Sequence, residues 1–480
     1  MKSSLMNILH VAAECYPAAK TGGLGDILGS LPKYLNKVGV NSSVVMPKYK
    51  MPWFQKQKFS SVYGGNFYMG SESIYFHVEQ VNDDPLGFPL YTIDIPGKYD
   101  RNGVYADSNG HFFQDEVERM VSFNRAFLDW LSTWTVQPDV VHCHDHHTGL
   151  IPFMMKYCPR YSGLEQLPSV FTIHNERYQG AFGWDRSYLL PGYDSWKSGM
   201  LDWNNTINPL ASAVKCSWQV TTVSPSYMEE LKNNSFGLEG LFRSEAFKSR
   251  GILNGIDYDY WNPSKDEMIK FNLKKSVPSY KLNNKKSLFE GTELDPKVPT
   301  ISFIGRLAYE KGADLVPMLI DHCLSYNMPA QWVVLGTGDK SMEYHLKALS
   351  KRFPSQTLIY IAYDEALAHQ IYASSDFIIM PSRVEPCGLN QMYAMRYGTV
   401  PIVHNLGGLK DSVIDLGAKD GSGIKIEHLS INDLAHAVYR AIKAFEDKKS
   451  FNALRKRIME LDFSWDHSAQ LYIEMYQLLK

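Results

Sequence analysis

The chain has 480 residues, 44% hydrophobic and 13% aromatic, with 49 Lys plus Arg against 51 Asp plus Glu. That is long for one core and suits two domains of roughly 200 residues or more each, and the balanced charge excludes a general affinity for nucleic acid or an anionic membrane. No apolar run approaches the ~20 residues that span a bilayer, and six scattered cysteines without a C-x-x-C pair suit a reducing cytoplasm better than a disulfide framework or a zinc module.

In chain order, short β-rich runs alternate with amphipathic helical stretches, the signature of parallel α/β sheets. "NILHVAAE" (7–14) reads as a first strand rather than as part of a targeting segment. The loop "KTGGLGD" (20–26) follows and leads into a helix over 26–39. Gly22 and Gly23 there would let backbone N–H groups approach an anion, with the helix N-terminus favouring negative charge and Lys20 adding a mobile cation. A plain tight turn is the other use for this glycine pair. "NSSVVMP" (41–47) resumes as strand, and the aromatic "YGGNFYMG" (63–70) reads as an exposed hairpin.

The strand "PDVVHCH" (138–144) runs into "DHHTGL", so that four histidines, a cysteine and an aspartate share 142–147. Alternation puts His142 and His144 on one face and Cys143 on the other. Crowding in sequence is therefore not read as convergence in space, whereas zinc needs three or four converging ligands. No metal site is expected, and His142 and His147 are read as packing and hydrogen-bonding. "SVFTIHN" (169–175) and "QVTTVSPS" (219–226) continue the strands. From Asn262 to Pro299 the chain turns lysine-rich and polar with scattered prolines, which marks a connection, with some helical content, between domains 1–260 and 300–464.

A second series begins with "TISFIGRL" (300–307), "QWVVLG" (331–336), "LIYIAY" (358–363), "DFIIMPS" (376–382) and "TVPIVH" (399–404), with helical segments such as 364–375 between them. In "RLAYEK", Arg306 and Lys311 leave a strand end where both can reach one diphosphate. "LGTGD" (335–339) lacks the third glycine of a dinucleotide fingerprint. In "PSRVEPCGLNQMYAMRYGT" (381–399) a strand ends, a Pro–Cys–Gly turn follows and a helix begins near Leu389. The N–H groups of Gly388 and Leu389 point outward there with a positive dipole end behind them. Glu385 beside them is acceptor-only and suits sugar hydroxyls. A last helix, 465–480, carries the stripe Ala469, Tyr472, Ile473, Tyr476, Leu479. Two doubly wound domains bind ligands at the carboxyl ends of their strands, so a cleft between them is the expected site.

Taken in order, "KTGGLGD", "HDHHTGL", "TIHNERYQG", "VSPSY", "LNGIDYDYWNP", "RLAYEKG" and "EPCGLNQMYAMRYGT" make the chain similar to bacterial glycogen synthases and plant starch synthases. These are retaining glucosyltransferases of the GT-B fold, two doubly wound Rossmann-like domains facing across a cleft. The resemblance implies that Lys20 with Gly22 and Gly23 faces the distal phosphate and acceptor end, and that Arg306 and Lys311 neutralise the diphosphate. It implies that Glu385 binds glucose hydroxyls beside Cys387, Gly388 and Leu389, and that His174 sits against the reacting sugar. Asp145 and Asn254 would shape that sugar site, Asp26 and Tyr105 would line the donor–acceptor cleft, and the closing helix 465–480 would complete the first domain.

The implied partners are a nucleotide sugar and the non-reducing end of an α-1,4-glucan, with no cofactor beyond the donor substrate, no metal and no membrane. ADP-glucose is the expected donor, with UDP-glucose open, and the oligomeric state is left open. Retention is expected through same-face attack, the departing phosphate taking the acceptor proton. The chain departs from the family pattern at His146, where Trp is usual, at Glu176–Arg177, at Ser217–Trp218 and at Gly305. Another GT-B hexosyltransferase, or a catalytically silent glucan-binding relative, is the alternative reading.

Overall fold

Strands whose side chains are buried on both faces, as a parallel sheet covered by helices requires, build the centre of both halves in a computed structural model describing residues 6–107 and 110–479. Residues 1–5 of the N-terminal stretch, Ser108 beside Tyr105 and Lys480 of the closing helix lie outside the described residues. The chain divides into two units. Unit 1 comprises Met1–Val223, Met228–Ile252 and Trp465–Lys480, and unit 2 comprises Ser224–Tyr227 and Leu253–Ser464.

In unit 1 the strands are β1 (Asn7–Val11), β2 (Asn41–Pro47), β3 (Phe59–Met69), β4 (Glu72–Val81), β5 (Leu90–Asp94), β6 (Val140–His144) and β7 (Ser169–Ile173). A small ribbon of β8 (Asp202–Trp203) and β9 (Thr206–Ile207) follows, then β10 (Gln219–Thr222) and β11 (Ser249–Gly251). The main sheet runs β11-β10-β7-β6-β1-β2-β5-β4-β3. Its β3–β4 and β4–β5 pairs are antiparallel and the others parallel. Residues 63–70 lie mostly within β3, so the expected exposed hairpin is the edge of this sheet, with Tyr68 and Tyr75 exposed. The helix Trp465–Gln477 packs on the helix Gly23–Lys37. Tyr472 and Tyr476 of its stripe are fully buried, and the Tyr476 hydroxyl lies 2.6 Å from His142 Nδ1.

Unit 2 holds β12 (Thr300–Ile304), β13 (Gln331–Leu335), β14 (Thr357–Tyr360), β15 (Phe377–Met380), β16 (Val400–His404) and β17 (Ile424–Ile426). They form a parallel sheet in the order β14-β13-β12-β15-β16-β17. Residues 261–299, expected as a connection, lie within this unit and contribute the helix Val277–Leu288 to its packing. The reason is in the lysines. Lys281 Nζ donates to the carbonyls of Tyr372 and Tyr397 and to Thr399 Oγ1, and Lys285 Nζ to Val298 O and Asp376 Oδ2. Both lysines are buried, so a polar-looking segment carries inward-facing cations matched to acceptors.

Asp376 is the centre of that arrangement. Buried, it accepts from Lys285 at 2.6 Å, from the Thr300 amide at 2.8 Å and from Arg455. Burial opposes its charge while the two cations and the amide hold its carboxyl below the ordinary range. Asp376→Ala would strand two buried cations, a change that costs about 3–5 kcal/mol in comparable pairs. Urea unfolding of the two proteins measures it, and a loss below about 1 kcal/mol would mean that the charges relax into solvent.

Candidate active site

The unit 1 sheet changes direction between β1 and β6, because β2 and β5 lie to one side and β7 and β10 to the other. Ligands of open parallel sheets bind at the carboxyl ends beside such a reversal. Asp145 leaves β6 there with φ 56, in the left-handed region seldom used by non-glycine residues. That turn brings its Oδ1 to the amides of His174, at 2.7 Å, and Asn175, at 3.4 Å, just past the end of β7. Burial pushes the Asp145 carboxyl up to about 7 in spite of the two amides, and the Glu14 and Glu176 carboxylates add to the push.

His174 is 8% exposed and ends a row of imidazoles. Its Nε2 lies 3.0 Å from His144 Nδ1, and His144 Nε2 lies 3.1 Å from His10 Nδ1. Burial lowers His10 and His174 to about 3 and His144 well below its ordinary value, so all three are neutral. A neutral imidazole carries one N–H, and only two arrangements satisfy both contacts. Either His174 donates to His144, which donates to His10, and His174 Nδ1 is an acceptor; or every bond reverses and His174 Nδ1 is a donor. That Nδ1 has no hydrogen-bond partner within the protein.

This row corrects the expectation that the histidines do not converge. The parallel register sets His10 of β1 opposite His142 of β6, and nitrogens of His10, His142 and His144 lie within 4.8 Å of one another. Spacing within 142–147 could not reveal a partner supplied by the neighbouring strand. His142 nevertheless has no lone pair to spare, since Nδ1 meets the Tyr476 hydroxyl and Nε2 meets Thr172 Oγ1, each at 2.6 Å.

At the end of β1, Glu14 takes the glycine loop. Its Oε2 accepts the amides of Thr21, at 2.5 Å, and Gly22, at 3.0 Å, and its Oε1 accepts the Tyr105 hydroxyl at 2.6 Å. Burial and this carboxylate together hold the Tyr105 phenol well above its ordinary value. Lys20 Nζ pairs with Asp26 Oδ1 at 2.6 Å. A Cβ at Gly22 or Gly23 would meet nothing within 4 Å, so the fold does not require glycine at either position and the loop face stays bare. Glu14 escaped the sequence reading; its only signal is an acid closing an apolar strand.

In unit 2 the reversal falls between β12 and β15. Arg306 and Lys311 follow β12, and Glu385 follows β15. Gly312, at φ 64, lets the first loop pass over the second, since a Cβ there would lie 1.9 Å from Pro381 O. Lys311 Nζ then reaches both Glu385 oxygens, at 2.7 and 2.8 Å, and Ser382 Oγ donates to Oε2 at 2.9 Å. Arg306, 65% exposed, pairs with Glu310 at 2.8 Å.

Gly388, at φ 69, turns the chain after Cys387, and Leu389 precedes the helix Asn390–Arg396. Gln391, also unforeseen, ties this turn by donating to Cys387 O at 3.2 Å, Gly388 O at 2.9 Å and Ser412 Oγ at 2.9 Å. Burial pushes the Cys387 thiol up to about 12 against hydrogen bonds from Asn254. Asn254 Oδ1 is buried and has no partner within the protein. Unit 1 thus gathers Lys20, Gly22, Gly23, Asp26, Tyr105, Asp145 and His174 at one sheet edge. Unit 2 gathers Lys311, Glu385, Asn254, Cys387, Gly388 and Leu389, with Arg306 on the adjoining loop.

A family model described as starch synthase catalytic domain matches residues 7–244, and one described as glycosyl transferases group 1 matches 284–457. The chain is 46% identical over 482 residues to a glycogen synthase from Flavobacterium johnsoniae, covering 99% of both chains. The chain belongs to the glycogen and starch synthase family. A glycogen synthase from Streptococcus agalactiae is 39% identical, again with 99% of this chain covered. The catalytic domain of starch synthase IV from Arabidopsis thaliana, solved bound to ADP and acarbose, superposes with a TM-score of 0.88 at 30% identity, covering 99% of each chain. As a member of this family the chain is a glucosyltransferase with a GT-B architecture. Among its described residues no helix is long and apolar enough to cross a membrane.

The Asp145 carboxyl gives this synthase a pH signature. Its folded value, about 7, lies above the ordinary 3.8, so the folded state keeps a proton that the unfolded state has lost. Its contribution to stability is full below the lower value and fades as pH rises toward about 7, by up to about 1.4 kcal/mol per pH unit. Urea midpoints of the wild type and Asp145→Asn across that window should converge or cross as pH rises; parallel pH profiles would contradict the assignment.

Proposed function

We propose that the chain transfers glucose, with retention, from ADP-glucose to the non-reducing end of an α-1,4-glucan. The donor reading rests on the ADP bound by Arabidopsis starch synthase IV, a relative matched along 99% of the chain. The acceptor reading rests on the glycogen synthase relatives.

The transfer breaks the bond between the anomeric carbon and the diphosphate, forms one to the acceptor oxygen, and moves the acceptor proton to the departing phosphate. Its main demand is electrostatic: charge gathers on the phosphate while the sugar becomes oxocarbenium-like. Arg306 and Lys311 meet that demand by exchanging partners. An exposed ion pair such as Arg306–Glu310 is worth only ~0–1 kcal/mol, so a diphosphate draws Arg306 away at little cost. Lys311 turning to phosphate frees the Glu385 oxygens for glucose hydroxyls, with the amides of Gly388 and Leu389 beside them. On the unit 1 side, His174 Nδ1 and Asp145 face sugar hydroxyls, while Lys20 and the bare Gly22–Gly23 loop face the distal phosphate and acceptor end. Asp145, whose carboxyl burial pushes up to about 7, is a poor nucleophile while it holds its proton, which favours same-face attack over a covalent intermediate.

On this reading the transfer draws on no cofactor beyond its donor, and the six buried free cysteines suit the reducing cytoplasm in which we place the enzyme. The test is glucose incorporation into glycogen from ADP-glucose and, separately, UDP-glucose, with the product anomer read by NMR. Lys311→Ala and Glu385→Ala should each lower kcat/KM at least about a hundredfold, the scale for one lost transition-state charge contact. Faster incorporation from UDP-glucose would overturn the donor assignment, and a β-linked product would overturn retention.

A further inference from the structure

The histidines that close the 142–147 run, His146 and His147, set their rings 4.0 Å from each other. They form a short helical turn (His146–Thr148) after β6, and Glu116, the first residue of the helix Glu116–Leu131, faces them. Glu116 Oε1 lies 3.7 Å from His146 Nε2 and 3.8 Å from His147 Nε2, and one ligand atom from each residue lies within 4.8 Å of the others. We propose that Glu116, His146 and His147 form a binding site for one divalent transition-metal ion of the zinc class.

The chemistry of the donors fits. Two imidazoles and a carboxylate are a common zinc set, with solvent in the fourth position. Bonds of 2.0–2.2 Å in a tetrahedron hold ligand atoms roughly 3.3 Å apart, so Glu116 has to close by roughly half an ångström. It can do so because its side chain is 39% exposed, while the two histidines are held at 9% and 11%. His147 Nε2, the atom facing the carboxylate, is buried without a hydrogen-bond partner within the protein. Arg119 lies near His147, and its Nε and Nη2 donate to the carbonyls of Lys98 and Val104.

The His10, His142 and His144 row cannot compete, because both nitrogens of His142 are already engaged. The new site is separate from the proposed transfer chemistry but adjoins it. His146 follows Asp145 directly, and the His147 ring lies 4.8 Å from the Tyr105 ring, whose hydroxyl holds Glu14.

Whole chain freed of metal with chelator is titrated with Zn2+ by calorimetry and with Co2+ by visible absorption. The expected result is one equivalent bound, with the intense Co2+ bands of a tetrahedral N/O site. Glu116→Gln and His146→Asn should each weaken binding at least tenfold while leaving glucosyl transfer by the metal-free protein in place. No saturable binding by the wild type, octahedral Co2+ spectra, or affinity unchanged in both variants would overturn the proposal, the last by placing the ion on other imidazoles. The spectra and heats do not depend on the donor or on transfer, so failure of this site leaves the function untouched and the reverse holds too.

Discussion

Both halves of this enzyme obey one topological constraint. A parallel sheet delivers the carboxyl ends of all its strands to one edge, and where the strand order reverses, neighbouring loops leave in opposite directions and open a crevice. In unit 1 the reversal between β1 and β6 puts Glu14 and Asp145 on its two sides, with His174 one strand further. In unit 2 the reversal between β12 and β15 does the same for Arg306, Lys311 and Glu385. Residues far apart in the chain meet because the crossovers allow few other arrangements. The Asp145 bonds to the amides past β7 and the Lys311 bonds to Glu385 then fix the loops that the topology has brought together.

Each crevice contains acids, and their compensation differs from that of a structural charge. Asp376 is fully buried and saturated by Lys285, Arg455 and an amide, so nothing else can reach it. Glu385 is also buried, but its cation sits on a loop after another strand and remains partly exposed. A pair of that kind leaves the lysine on the solvent side of the carboxylate, where it can change partners. Glu14 is held differently, by two amides and a phenol rather than by a cation, which orders the glycine loop and leaves Lys20 to Asp26.

Legibility in the sequence followed burial. Strands with both faces covered were visible as apolar runs, β2 to the residue and β10, β12 and β15 within a few. The β3–β4 hairpin was legible as an exposed hairpin, with Tyr68 and Tyr75 in solvent, but its pairing through β4 onto the edge of the main sheet is a property of the fold. Some helical content in this stretch was expected, but the packing of the helix Val277–Leu288 into unit 2 was hidden because its core-facing residues include Lys281 and Lys285, which pattern reading takes for surface. The motif-bearing residues that the fold gathers past the strand ends stood out in the sequence because the loops there carry glycine, proline and charge. Glu14 and Gln391 act through backbone groups of their neighbours, and nothing in composition or period distinguishes them. The histidine row was half legible: alternation gave the face, but the register with β1 that supplies His10 is a property of the folded sheet.

Polar atoms left without a partner mark where this fold accepts a cost. An unpaired buried polar group forfeits about 1–3 kcal/mol, and unit 1 carries one at His174 Nδ1 while unit 2 carries one at Asn254 Oδ1. Neither belongs to a position where packing forces the choice, since His174 has a partner on its other nitrogen and Asn254 already contacts Cys387. His174 adds a further property. Its free nitrogen is donor or acceptor according to which way the three-imidazole row is protonated, and the two states differ by one proton moved along each bond, one gained at His174 Nδ1 and one lost from His10 Nε2. A hydroxyl can serve either polarity, whereas a fixed ammonium or carboxylate cannot. A neutral imidazole backed by two others therefore fits the sugar contact proposed for His174, where hydroxyls reorient as the ring flattens, and burial that keeps all three neutral is what preserves that freedom.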